Sequence, residues 1–363
     1  IQYLAYRELK RALIENRARG GSLVMLDVST GEVLAMVNQP AFNPNDRDQL
    51  EAERYRNRAV TDMYEPGSSF KPFVVAAALA SGKYTAGSML DVPRSIHVGD
   101  RLFSDEHPVG RVPLTTIIAK SSNVGMTMVA QSLEREQLWD TLNRLGFGRV
   151  PSSEFPGESA GILTNYAHWR PVGIASLSFG YGLSVTPLQL AHAYAVIGGG
   201  GVSRPITFLR REPPTAGVMG VSSQGEQVLD PNVARSLVHM LEAVVSAEGT
   251  GKKAAVTGYR VAGKTGTAWK AENGGYSKDR YRATFAGLAP ASRPRLACVV
   301  MIDEPGGKKY YGGEVAAPVF AAVMSGALRL MAVPPDEVPQ DEQSPREPDT
   351  PVEATLAHTG MRP

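Results

Sequence analysis

Ser68 and Lys71 stand three residues apart in the stretch Glu65-Pro66-Gly67-Ser68-Ser69-Phe70-Lys71-Pro72-Phe73. On a helix that spacing stacks the two side chains on one face. A serine hydroxyl keeps its proton at neutral pH and is a poor nucleophile. A lysine one turn on can take that proton once its own ammonium is neutral. Glu65-Pro66-Gly67 breaks the chain and an apolar run, 73–80, follows. The pair is therefore expected on the first turn of a buried helix, where free backbone N–H groups favour developing negative charge. Pro72 falls near the end of that turn, where a missing N–H costs little. S-x-x-K alone is weak, arising about once or twice by chance in a chain of this length. An N-capping serine and a solvated lysine fit it equally well, so other stretches must decide.

Two do. Ser121-Ser122-Asn123 lies between apolar segments and offers a hydroxyl to relay a proton and an amide to hold both a lysine and a substrate carbonyl. Lys264-Thr265-Gly266-Thr267 opens a strand, with a cation, two hydroxyls suited to a carboxylate, and a glycine that admits close approach to the backbone. Taken singly, the first reads as helix caps and the second as an ordinary edge strand. The six histidines show no metal-ligand spacing, and His107, His168 and His192 are expected to be structural. No metal or cofactor is implied.

Several elements must position these groups. Residues 1–19 form an amphipathic helix stopped at Arg19-Gly20-Gly21. The apolar runs 22–28 and 33–37, joined through Gly31, predict a hairpin central in a sheet. Residues 38–64 are polar and irregular. From about 83 to 250 helical signals dominate: 114–133 carries the second motif, and 136–145 ends at Gly146-Phe147-Gly148. A helix opens at Thr186-Pro187-Leu188-Gln189, with threonine as cap, and another at Asp230-Pro231. Segments 198–201 and 211–228 are loops. After Gly258 the pattern returns to strands, at 259–262, 264–270, 281–288 and 295–302, with a glycine-rich turn at 271–279. A helix at 315–331 closes the domain. Strands at both ends with helices between predict an α/β fold, a sheet closed by the two termini with a helical subdomain inserted at about 83–255 of a domain spanning 1–333. The stretch 334–363 is rich in proline and acid and is expected to be a disordered tail.

The 363 residues are 43% hydrophobic and 20% charged, enough for a sizeable core. A net charge of +2 gives no case for nucleic acid as a partner. The single cysteine, Cys298, lies in an apolar run and is expected as a buried strand residue; it cannot form an intramolecular disulfide. No apolar run reaches the roughly 18–20 residues of a membrane span, and no signal peptide opens the chain. A start inside a helix, without methionine, reads as a piece excised from a longer protein whose anchor lies elsewhere.

S-x-x-K on a helix start, S-x-N in the insert and K-T-G-T on a strand, in that order, form the motif set of penicillin-binding proteins and serine β-lactamases. The chain resembles the transpeptidase domain of class B penicillin-binding proteins, nearest the septal, division-specific type (penicillin-binding protein 3). Further support comes from Phe179-Gly180-Tyr181-Gly182 before Thr186-Pro187-Leu188-Gln189, and from Tyr311-Gly312-Gly313 before Ala317-Pro318-Val319-Phe320. The resemblance covers about residues 1–335.

That resemblance implies a central antiparallel sheet flanked by helices, with an all-helical insert. It implies acyl transfer from D-alanyl-D-alanine stem peptides of peptidoglycan, blocked by β-lactam antibiotics. Ser68 would be the nucleophile, Lys71 the base, Ser121 the proton relay, Asn123 an orienting amide and Lys264 a cation lowering the Lys71 pKa. Backbone N–H groups of Ser68 and Thr267 would form the oxyanion hole. Thr265, Gly266, Thr267 and Ser122 would contact substrate, beside an aromatic wall of Tyr281, Tyr310 and Tyr311. The implied setting is the periplasmic face of a bacterial inner membrane, with division-complex partners held by a part outside this chain. Trp269 departs from the commonest pattern, standing where a basic residue is often found. The alternatives are a carboxypeptidase, a β-lactamase or a non-enzymatic β-lactam sensor. Against a class A β-lactamase, Trp139-Asp140-Thr141-Leu142-Asn143 has tryptophan where the deacylating glutamate should be.

Overall fold

The computed structural model describes residues 1–46, 52–210, 225–272 and 274–337. The elements used below are, in chain order, α1 (Gln2–Glu15), β1 (Gly20–Asp27), β2 (Val33–Gln39), α2 (Lys71–Ala80), α3 (Leu114–Ala119), α4 (Asn123–Gln131), α5 (Pro187–Gly198), β3 (Ala262–Glu272), β4 (Gly275–Ala289), β5 (Leu296–Asp303) and α6 (Ala317–Leu330). The five strands form one sheet in the order β2-β1-β5-β4-β3, and every neighbouring pair is antiparallel. The two chain ends thus supply adjacent strands, and β3, which carries Lys264 to Thr267, is an outer edge.

Alternation along β1 divides the molecule into two layers. Leu23 and Met25 face α1 and α6, with Leu9, Leu13, Cys298, Phe320 and Val323 in one core. Val24 and Leu26 face α2 and α5 in the second and larger core. The first eight residues of α2 are all buried. Such a helix is held by packing all round rather than by one amphipathic stripe. Phe147 meets Phe70 tilted at 5.0 Å and Phe73 edge-on at 4.9 Å, and Phe73 meets Tyr194 edge-on at 5.4 Å. Each such pair adds about 0.5–1.5 kcal/mol to the burial itself. The nucleophile's helix is therefore fixed from several sides.

Several boundaries differ from the sequence reading. The first helix ends at Glu15 rather than 19. The 22–37 hairpin is not central: β1 is buried throughout, whereas β2 alternates half-buried and buried residues and closes the sheet's other edge. The insert is not purely helical. Met89–Val92 pairs with Gly110–Pro113 and Ser95–Val98 with Arg101–Ser104, four-residue strands too short and too exposed to show a period. No separate strand forms at 259–262. The Arg260 N–H is taken by Asp336 Oδ1 at 2.8 Å and Tyr259 Oη reaches the Val333 carbonyl at 2.6 Å. Part of the expected turn at 271–279 is ladder: β3 and β4 form an arm in which Gly275 pairs with Glu272 and Tyr276 with Ala271, before the register shifts between Tyr276 and Tyr281. The closing helix is interrupted at Ala316 after a short helical turn, Gly312–Val315. Segment 211–224 and the tail from 338 lie outside the described residues.

Candidate active site

Ser68 lies on a 3-10 turn, Gly67–Phe70, that leads directly into α2. Proline explains the tighter turn. Pro72 has no N–H to give the Ser68 carbonyl, so the Lys71 N–H closes onto it instead. The neighbouring Ser69 is spent on structure: its Oγ donates to the Pro66 carbonyl at 2.7 Å, and its own carbonyl accepts from Tyr194 Oη at 2.9 Å. Behind the turn the Gly67 N–H donates to the Gly180 carbonyl at 3.1 Å. A side chain at Gly180 would place its Cβ 2.1 Å from the Gly67 carbonyl oxygen.

Ser121 sits between α3 and α4 with a φ of 62°, a left-handed conformation that a non-glycine residue holds only when its surroundings impose it. The bend points both of its oxygens at Lys71. Lys71 Nζ donates to the Ser121 carbonyl at 2.5 Å and to Asn123 Oδ1 at 2.8 Å, and lies 3.1 Å from Ser121 Oγ. Asp105 braces the bend. Its Oδ1 accepts from the N–H groups of Asn123 at 2.6 Å and Val124 at 3.1 Å, and its Oδ2 from Ser122 Oγ. Ser122 also accepts the Gly125 N–H at 2.8 Å and so caps α4. It is 3% exposed, which corrects its expected place among substrate contacts: its hydroxyl is used up holding the turn.

On β3, Lys264 is fully buried, with Nζ 3.1 Å from the Thr265 carbonyl and 3.2 Å from Thr265 Oγ1. Thr265 Oγ1 also meets Thr250 Oγ1 at 2.9 Å, and Thr267 Oγ1 accepts the Gly312 N–H at 3.0 Å. The Trp269 N–H points off the open edge to Tyr181 Oη at 3.1 Å. Peptide direction alternates along a strand, so the Thr267 N–H, two residues earlier, points off the same edge toward the Ser68 turn. Gly266 permits this approach: a Cβ there would lie 2.7 Å from the Pro66 carbonyl oxygen and 3.1 Å from the Ser69 nitrogen.

Both lysines are deprived of water. Burial lowers Lys264 to about 7. Lys71 is driven well below the ordinary lysine range, first by burial and then by the Lys264 charge, with Asp105 opposing. Two buried lysines of unequal affinity for protons thus lie close enough for the charge of one to act on the other. The three tyrosines expected as a wall do come together. Tyr281 stacks on Tyr310 at 4.3 Å and Tyr310 on Tyr311 at 4.5 Å. Tyr311 caps the short helix whose Gly312 holds Thr267.

Three residues of the site escaped the sequence reading. Asp105, Tyr194 and Thr250 act across 15 to 125 positions of chain, and no local pattern marks them. His192 is structural as expected, buried with Nε2 against the Arg204 carbonyl at 2.9 Å.

Comparison with known proteins agrees with this geometry. Residues 21–325 match the family described as "Penicillin binding protein transpeptidase domain". The chain is 44% identical over 337 residues to the peptidoglycan D,D-transpeptidase FtsI of Escherichia coli K12, covering 93% of this chain and 56% of that protein. It is 41% identical over 335 residues to the probable peptidoglycan D,D-transpeptidase PenA of Neisseria gonorrhoeae, covering 92% and 56%. This chain thus spans little more than half the length of these relatives. Among solved structures, the apo transpeptidase domain of Burkholderia pseudomallei penicillin-binding protein 3 superposes with a TM-score of 0.83 at 38% identity, covering 93% of this chain and 96% of that one. The matched region takes in Ser68, Ser121 and Lys264 with all the strands and helices that bring them together, and the chain belongs to the penicillin-binding protein transpeptidase domain family.

Proposed function

We propose that this chain is the catalytic domain of a division-type peptidoglycan D,D-transpeptidase. The observation that carries the reading is the junction at Lys71: a buried, proton-poor amine bonded to Ser121 and Asn123, one turn from Ser68 and under the Lys264 charge.

In this reading Ser68 Oγ attacks the carbonyl of the penultimate D-alanine while Lys71 takes its proton. The resulting oxyanion is met by the N–H groups of Ser68 and Thr267. As the C–N bond breaks, the proton passes from Lys71 through Ser121 Oγ to the departing D-alanine amine. Lys264 and Thr267, with Thr265 behind them, bind the terminal carboxylate, and Asn123 orients both Lys71 and the peptide amide. Tyr281, Tyr310 and Tyr311 wall the acyl side. An amine of a second stem peptide then attacks the Ser68 ester, loses a proton to Lys71 and leaves a cross-link, with the serine restored. A β-lactam enters by the same first step and stays as an ester.

Residues 1–333 are taken as one catalytic unit. Contacts with division proteins and the membrane are assigned to the rest of a longer protein, and the domain to the periplasmic side where peptidoglycan is polymerised. The test is intact mass after incubation with a penicillin, beside Ser68→Ala. A lasting one-to-one adduct absent from the variant supports the transpeptidase. A transient adduct with drug consumed supports a β-lactamase, and no adduct on folded protein overturns the reading.

A further inference from the structure

Lys120 stands immediately before the Ser121 bend and takes no part in the steps above. Its side chain is exposed, yet its Nζ donates to the Glu248 main-chain carbonyl at 2.8 Å and lies 3.3 Å from Glu248 Oε2. Glu248 belongs to the turn 246–251, which follows a helix, Pro231–Val245, packed against α3. The Gly251 N–H donates to the Val244 carbonyl at 2.8 Å, and a Cβ on Gly249 would lie 2.1 Å from that carbonyl oxygen. The turn is thus folded tightly back on the end of its helix.

The same turn bears on β3. Thr250 Oγ1 meets Thr265 Oγ1 at 2.9 Å, and Thr265 Oγ1 lies 3.2 Å from Lys264 Nζ. A Cβ on Gly313 would lie 2.3 Å from the Thr250 carbonyl oxygen, and Gly313 follows the Gly312 whose N–H holds Thr267. The groups read as handling the proton and those read as holding the carboxylate therefore come from separate parts of the chain. Among the described residues, the stretch 114–131 makes no other hydrogen bond to this turn or to β3. Of the two Glu248 oxygens that Lys120 meets, the carboxylate is on a side chain 89% exposed, where screening leaves an ion pair little strength. The bond to the main-chain carbonyl is the one that fixes the turn.

We propose that Lys120 is a positioning residue for acylation: its ammonium ties the Ser121 bend to the 246–251 turn and so holds the Thr265 end of β3 at a fixed distance from Lys71. This rests on the transpeptidase reading. Without the tie the turn is free to draw away, and water gains access between the two lysines. Less burial returns both toward the ordinary lysine range, Lys71 losing part of the Lys264 charge as well. The charges felt at Lys71 are those of Lys264 and Asp105, and burial is what moves Lys264. A shift on replacing Lys120 therefore reads position rather than the loss of a neighbouring charge.

The limiting rate of acylation by a penicillin, measured from pH 5 to 9, tests it. Lys120→Met keeps the aliphatic stem and removes the donor. Its limiting rate should fall by about tenfold or more, and both limbs of its pH profile should move up by about half a unit or more. Lys120→Arg keeps a donor and should stay within about threefold of the unmodified protein. Glu248→Ala keeps the carbonyl and should stay within about twofold. Thr250→Val cuts the same link at its far end and should move the limbs in the same direction as Lys120→Met. Limbs that stay in place in folded Lys120→Met and Thr250→Val overturn the proposal. So does a Glu248→Ala loss as large as that of Lys120→Met. No acylation of the unmodified, folded protein would instead overturn the transpeptidase reading, and this proposal with it.

Discussion

Lys71 and Lys264 are the residues on which pH acts. In the proposed mechanism Lys71 is neutral when it takes the Ser68 proton, and Lys264 is charged when it holds the substrate carboxylate. Acylation by a penicillin should therefore follow a bell, its falling limb centred near the Lys264 value of about 7 and its rising limb at the lower value of Lys71. Rate constants measured from pH 5 to 9 test this; a rate still climbing at pH 9 would contradict it. The same lysine also acts on stability. Between about 7 and the ordinary lysine value of 10.5 the unfolded chain binds a proton that folded Lys264 does not, so folding is favoured increasingly as pH rises through that window. Lys264→Met should flatten this rise in denaturant titrations at pH 7 and pH 9. Replacing Lys71 by alanine should slow acylation by about 10²–10⁴-fold, the usual share of a positioned base.

At the scale of elements, the question is what keeps turns in unfavourable conformations. Asp105 meets the Ser121 bend with three bonds to the start of α4. Asp105→Ala leaves Ser122 and two N–H groups without their partner. It should cost about 1–3 kcal/mol in denaturant stability and slow acylation more than it weakens initial penicillin binding. Gly266→Ala drives a methyl against the Pro66 carbonyl, and the strand or the Ser68 turn must give way. A loss of about 1–3 kcal/mol with slowed acylation is expected, read by thermal melting and mass spectrometry. The sequence marks Ser68, Lys71, Ser121, Asn123 and Lys264 as candidates because their types and spacings are local. Asp105 was silent because its partners begin 17 residues away and its own stretch has no period. The four-residue strands around it were missed for the same reason, and the β3–β4 arm was taken for a turn because its glycines and polar residues outweigh its alternation.

Across the whole molecule, the sheet joins two termini and leaves one edge to the site. The sequence foretold the joining, since strand patterns at both ends can pair only with each other. It did not foretell which strand lay outermost, because β1 and β2 look alike in composition and differ only in what covers them. Burial of Cys298 in the middle of that sheet has a practical corollary. The thiol is wholly enclosed and burial holds it protonated, so alkylating reagents have no native target. A cysteine placed on the exposed rim, for example Trp269→Cys, would be the sole reactive thiol. A dye there would report on the arm without the native cysteine having to be removed first.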